Sequence, residues 1–303
     1  MNRINGFITA PFTPMKDNGS LNLPKIKEYA ELVIRNGMDG VFVCGSSGEG
    51  ALLTNEERIS VAEEWMNVAG DRLKVIVHTG GTNLIYQQKL ARHAQDIGAF
   101  AISSMAPAFL PPNRNDELVA YCKIIARSAP ELPFYYYHIP SLNYFKPSVI
   151  DLLESADIEI PNFAGVKYTH DNMMEYHQCL QVAEGKFEML YGRDESLLGA
   201  LSFGAKSGVG GTYNHCFGLY RDLVKSFEKN DLERCRDLQH KSHLFIDILI
   251  EYRGNIICGK RIMKFLGLDC GPNRLPLQTI SDDEERVIKN KLDEIEFFNF
   301  CNK

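Results

Sequence analysis

Gly40-Val41-Phe42-Val43-Cys44-Gly45-Ser46-Ser47-Gly48-Glu49-Gly50 contains most of a repeating unit. Its apolar start is too short for a helix and does not alternate with polar residues, which suits a strand covered on both faces. A glycine- and serine-rich turn follows. Thr54 and Glu57 then form a capping-box pattern, and Val61, Ala62, Trp65 and Ala69 share one helical face. The unit is strand, loop, helix.

The same unit recurs along the chain. Apolar runs at 6–10, 40–44, 74–78, 100–104, 133–137, 163–167, 188–192 and 207–210 predict strands. Between them, helical faces are formed by Ile26, Tyr29, Ala30 and Val33, by Leu90, Ala91, Ala94 and Ile97, and by Leu118, Tyr121, Cys122 and Ile125. Further faces are Val149, Ile150, Leu153 and Ala156 after Pro147, a helix around Leu180 and Ala183, a short helix at 196–203, and Tyr220, Leu223, Val224 and Phe227. Eight alternations over residues 6–229 predict an α/β fold, a closed (β/α)8 barrel of the TIM type. Residues 230–303 lack strand signals and read as helices at 231–252, 257–266 and 281–295, with Gly271-Pro272 as a break. The expected organisation is a barrel over 1–229 and a C-terminal helical extension over 230–303.

Composition narrows the function. The chain has 303 residues, 45% hydrophobic and 24% charged, enough for a large core. Lys and Arg total 33 against 39 Asp and Glu, a net charge of −6 that lacks the footprint of a nucleic-acid binder. No apolar run reaches the roughly 18 residues of a membrane span. Residues 1–6 show no charged head followed by an apolar stretch, so no secretory signal is expected. Eight scattered cysteines include no CxxC pair and read as reduced residues, not a disulfide frame or zinc site. These features together predict a cytoplasmic protein whose partner is a small molecule or another protein.

In such a barrel the chemistry lies just after each strand. The Gly45–Gly50 loop offers backbone amides and two hydroxyls, Ser46 and Ser47, to a carboxylate or phosphate; a tight turn explains the same glycines. It is no Walker loop, since no Gly-Lys-Ser/Thr follows. In Phe134-Tyr135-Tyr136-Tyr137-His138, alternation separates Tyr137 from His138. Tyr137 lies near the strand end, within reach of a reacting group, although packing accounts for most strand tyrosines. His138 reads as a structural hydrogen-bonder.

Phe163-Ala164-Gly165-Val166-Lys167-Tyr168-Thr169 sets a lysine at the end of an apolar strand. Desolvation depresses an ammonium pKa and frees a nucleophilic amine, which forms a Schiff base with a ketone. The competing reading is a lysine snorkelling from the rim. Asp194 and Glu195 after the seventh strand suit polyol hydroxyls or a helix N-terminus. Gly208, Gly210 and Gly211 imply close backbone approach after the eighth. His240 and His243, and His170 and His177, have no cysteine or carboxylate set at ligand spacing and read as surface polar residues; no metal is expected.

Gly45-Ser46-Ser47-Gly48-Glu49, Tyr137-x-Ile139-Pro140, Gly165-Val166-Lys167-x-Thr169, Gly192-x-Asp194-Glu195 and Gly210-Gly211-Thr212-Tyr213-Asn214 resemble, in order and spacing, the N-acetylneuraminate lyase / dihydrodipicolinate synthase family. The likeness extends to Gly271-Pro272-x-Arg274-Leu275-Pro276-Leu277 and is greatest to the lyase branch. It implies a (β/α)8 barrel with a helical extension, usually a homotetramer, without metal or organic cofactor. It implies reversible cleavage of N-acetylneuraminate to N-acetylmannosamine and pyruvate. By the same resemblance, Lys167 is the Schiff-base lysine and Tyr137 the proton donor and acceptor. Ser46 and Ser47 hold the carboxylate, and Thr169, Gly192, Asp194 and Glu195 line the sugar side.

Synthases carry an arginine two residues after the motif proline to meet a second carboxylate. Leu142 stands there in this chain and cannot pair with one. Three further departures concern the sugar side. Gly211 stands where the lyases usually have serine. Arg193 replaces an often uncharged residue. The loop Ala106-Pro107-Ala108-Phe109-Leu110 lacks the tyrosine some relatives contribute across a subunit boundary. Two other functions remain open from the sequence: an aldolase for a 2-keto-3-deoxy sugar acid, and a non-catalytic barrel that binds sialic acid.

Overall fold

The apolar runs of the sequence become eight strands: β1 (Phe7–Thr9), β2 (Gly40–Val43), β3 (Lys74–His78), β4 (Ala101–Ser104), β5 (Phe134–His138), β6 (Phe163–Tyr168), β7 (Glu188–Tyr191) and β8 (Ser207–Gly210). The computed structural model describes residues 3–143, 145 and 147–303. The strands close in the order β1 to β8, and β1 pairs with β8 in parallel. A closed sheet has no exposed edge, which leaves both faces available for burial.

β5 and β6 each run one residue past the apolar stretch, and the reason is their shared ladder. Tyr137 pairs with Lys167 and His138 with Tyr168. Strand alternation then turns Tyr137 and Lys167 to the same face and His138 and Tyr168 to the other.

Helices α1 (Lys25–Arg35), α2 (Asn55–Ala69), α3 (Leu84–Asp96), α4 (Asn115–Ala126), α5 (Pro140–Asn143), α6 (Val149–Glu159), α7 (Met173–Cys179), α8 (Leu197–Ser202) and α9 (Tyr213–Glu228) fill the connections. Their apolar faces meet the outside of the barrel: Ile26, Tyr29, Ala30 and Val33 are fully buried, as are Val61, Ala62, Trp65 and Ala69 to within 1%. The expected capping box is formed, with Thr54 and Glu57 exchanging hydrogen bonds at 3.2 and 2.9 Å.

Two helix expectations need correction. The sixth amphipathic helix does not extend around Leu180 and Ala183. α7 ends at Cys179, its buried face is Tyr176 and Cys179, and Ala183 is exposed. Ala183 and Glu184 have left-handed backbones, φ 49° and 57°, which no α-helix accommodates. The single helix expected at 257–266 is instead a π-helical turn over Asn255–Gly259, a short α11 (Lys260–Ile262) and a 3-10 turn over Met263–Leu266. His215 of α9 bonds Gly259 O at 2.9 Å there, anchoring the turn to the barrel.

The remaining extension consists of α10 (Leu232–Glu251), packed along α9, and α12 (Asp282–Glu294), started by a capping box at Ser281 and Glu284. It reaches back to the β2 loop through a buried charge pair. Lys260 Nζ donates to Glu49 Oε1 at 2.6 Å, with both side chains at most 1% exposed. Asn273 Nδ2 donates to the same oxygen at 3.2 Å, and the Arg274 backbone N–H donates to Oε2 at 2.8 Å. Arg274 also pairs with Glu57 of α2 and donates to Gly19 O and Leu52 O. Every oxygen of Glu49 is thereby satisfied, which makes its burial tolerable. Among the described residues, no helix is long and apolar enough to cross a membrane.

Removing one partner of this pair leaves a buried charge unmatched. Lys260→Ala should destabilise the fold by about 3–5 kcal/mol, read as a lower urea midpoint with an unchanged slope.

Candidate active site

The inward side chains at the C-terminal end of the barrel form an aromatic wall around one amine. Phe42 of β2, His78 of β3 and Tyr137 of β5 lie in a triangle with ring centroids 5.5, 5.6 and 5.7 Å apart. Lys167 of β6 projects into it and is 4% exposed. Its Nζ lies 4.0 Å from the Tyr137 ring centroid and 4.1 Å from that of Phe42.

Burial dominates the electrostatics of this amine. Loss of solvent pushes the Lys167 pKa down, and the Tyr137 phenol and Asp194 carboxylate oppose the shift only in part. The aromatic faces hold an ammonium more weakly than water does, so the neutral amine gains population. His78 is driven well below its ordinary value, first by burial, then by Arg58 and Lys167, and is a neutral wall residue. Arg58 of α2 is itself buried and donates to His78 O at 2.6 Å and Gly80 O at 3.0 Å, pinning the end of β3. Sequence reasoning did not single out His78. Its signal was the one that marked Lys167: a polar residue closing an apolar strand.

The loops above this wall bring together most of the residues chosen from sequence. Thr169 continues the ladder, its N–H bonding His138 O at 2.8 Å, and Gly192 N–H bonds Tyr168 O at 2.8 Å. A Cβ on Gly192 would sit 2.1 Å from Thr169 Oγ1, so only glycine leaves room for that hydroxyl. The hydroxyl oxygen is buried and has no hydrogen-bond partner.

Asp194 is buried, and its Oδ2 accepts from the N–H and hydroxyl of Thr212 at 2.8 and 2.6 Å. Its Oδ1 has no partner. Burial raises its pKa to about 6, against the Thr212 hydrogen bonds, which lower it. Glu195 stands apart from this group at the rim, paired with Arg193 at 2.7 Å, while Arg193 also binds Asp171. The arginine that departs from the family pattern thus engages one of the two expected sugar-binding carboxylates.

Ser46 and Ser47 are half-buried in the Glu49-anchored loop. Ser47 Oγ accepts from Asn255 Nδ2 at 3.4 Å, and it lies 3.6 Å from where a Cβ on Gly211 would stand. That Cβ would meet Asn255 Nδ2 at 2.7 Å. Asn255 therefore occupies the space that a serine at 211 would enter, and its Oδ1 is buried without a partner. This contribution from the extension was invisible in the sequence, because 255 fell outside every motif. Leu142, in place of the synthase arginine, is 45% exposed in α5.

The dihydrodipicolinate synthetase family profile matches residues 3–295. The chain belongs to that family. It is 41% identical to N-acetylneuraminate lyase A of Xenopus laevis, over 96% of this chain and 96% of that protein. It superposes on the N-acetylneuraminate lyase of Proteus mirabilis with a TM-score of 0.95 at 36% identity, covering 98% of this chain and 100% of the other. The sialic acid aldolase of Ruminococcus gnavus, solved as a catalytic-lysine mutant, gives 0.91 at 27% identity over 97% and 96%.

The two site glycines should differ in tolerance. Gly192→Ala forces its Cβ onto Thr169 and the Tyr168 carbonyl and should cost about 1–3 kcal/mol. Gly211→Ala meets only the flexible tip of Asn255. Thermal unfolding should rank Gly192→Ala clearly below Gly211→Ala.

Proposed function

We propose that the protein is a sialic acid aldolase, a carbon–carbon lyase that reversibly splits N-acetylneuraminate into N-acetylmannosamine and pyruvate. The observation that carries this reading is the desolvated amine of Lys167 against the Tyr137 ring, at the mouth of a family barrel whose near relatives are N-acetylneuraminate lyases. The same kinship weighs against a 2-keto-3-deoxy sugar acid aldolase and against a non-catalytic binding barrel.

The mechanism follows from the residues. The neutral amine of Lys167 attacks the C2 ketone of the open-chain sugar; the Tyr137 phenol gives its proton to the departing hydroxyl, so that water leaves, a protonated imine forms and Tyr137 is left as the phenolate. Ser46 and Ser47, with their backbone amides, hold the adjoining carboxylate. Tyr137 accepts the C4 hydroxyl proton, the C3–C4 bond breaks, and its electrons enter the imine to give an enamine. N-acetylmannosamine leaves as the aldehyde. Protonation at C3 and addition of water release pyruvate and regenerate the amine. Thr169 Oγ1 and Asp194 Oδ1, both without protein partners, face the sugar's hydroxyls beside Gly192; Glu195 serves them from the rim and Gly211 lines the same side. No metal or organic cofactor enters the cycle, because the imine itself is the electron sink.

In this reading residues 1–229 are the catalytic barrel and 230–303 the extension. The family resemblance supports a homotetramer, and eight unpaired cysteines support a reducing, cytoplasmic setting.

Borohydride reduction in the presence of N-acetylneuraminate should leave a pyruvyl-sized adduct on Lys167, located by peptide mass spectrometry, and none in Lys167→Ala. An adduct with pyruvate but not with the sugar would keep the aldolase and reject this substrate. The raised pKa of Asp194 gives a second expectation. Its carboxylate becomes charged, and a full acceptor of hydroxyl bonds, only above about pH 6. kcat/KM should therefore rise through pH 6, and Asp194→Asn should remove that limb of the profile.

A further inference from the structure

Strand alternation that turns Tyr137 and Lys167 into the barrel turns their neighbours outward, where three donor groups meet. One ring nitrogen each of His138 and His170 and a Glu175 carboxylate oxygen all lie within 4.8 Å of one another, the one such group among the described residues. They come from the end of β5, the turn after β6 and α7, so no sequence spacing announces them. His138 was expected to be a structural hydrogen-bonder and His170 a surface residue. Instead, one ring nitrogen of each, His138 Nε2 and His170 Nδ1, is buried without a hydrogen-bond partner.

We propose that His138, His170 and Glu175 form a binding site for a divalent transition metal of the zinc class. Two imidazoles and one carboxylate are borderline donors that suit Zn2+, Co2+ or Ni2+ better than Mg2+ or Ca2+. His170 Nδ1 and Glu175 Oε2 stand 3.9 Å apart, too far for a hydrogen bond. A tetrahedral metal holds such atoms about 3.4 Å apart, so it bridges them after a shift of about half an ångström.

The surroundings prepare the ligands. The Tyr168 hydroxyl donates to Glu175 Oε2 at 2.8 Å and Val149 N–H to Oε1 at 3.1 Å, fixing the carboxylate. Burial, then His170, pushes His138 down to about 3, which keeps its imidazole neutral and able to coordinate. His170 and Glu175 are half-buried residues, so the group lies near the protein surface. The site lies behind the barrel wall, on the far side of the strands that carry Tyr137 and Lys167. It is separate from the aldol chemistry.

The test uses the full-length protein after chelator treatment, titrated with Co2+ and read by visible absorption. One equivalent should give the intense d–d bands of a tetrahedral site. His170→Ala and Glu175→Gln should each weaken binding at least about tenfold, whereas His240→Ala, at an exposed position on α10, should not. Zn2+ should raise the unfolding temperature of the wild type and leave that of His170→Ala unchanged. Absence of the Co2+ bands overturns the proposal, as does full binding in both His170→Ala and Glu175→Gln. Borohydride trapping at Lys167 tests the aldolase reading independently of either result.

Discussion

Burial of a single ammonium group is the constraint on which the site depends. A lysine in a strand interior is costly unless its surroundings accept the neutral form or shield the charged one. Here Phe42, His78 and Tyr137 come from three different strands to wall off Lys167, and only barrel closure brings them together. An open sheet with the same strands would leave this amine in water, protonated and unreactive. The closed sheet is therefore part of the chemistry as well as its support.

The second dependence runs from the extension to the barrel. The serine-bearing loop after β2 is held from behind by Glu49, whose oxygens are taken by Lys260, Asn273 and the Arg274 backbone. Asn255 reaches the front of the same loop at Ser47. Residues more than 200 positions away in the chain thus set both the position and the lining of the turn that carries Ser46 and Ser47. The extension completes the site while adding no strand to it.

A two-residue period gives one pair of strands two jobs. The β5–β6 register that aligns Tyr137 with Lys167 inside also aligns His138 with Tyr168 outside. Outward residues of a TIM barrel normally meet apolar helix faces. Here they meet His170 and the first turn of α7, and the result is a polar cluster within the helix layer. Its position one residue away from Tyr137 and Lys167 follows from the pleat.

Alternating apolar runs and helical faces determined the barrel, because strand and helix periods are local properties of the chain. Lys167, Tyr137 and Asp194 were legible for the same reason, each being a polar residue at or just after a strand end. The breaks at Ala183 and within 255–266 were not legible, since backbone handedness there answers to packing on distant elements. Nor were the roles of His78, Asn255 and Glu49, or the meeting of His138 with His170 and Glu175. Those depend on which side chains face one another across separate strands and helices, and on how far burial removes them from water. Closure of the tertiary structure decides both.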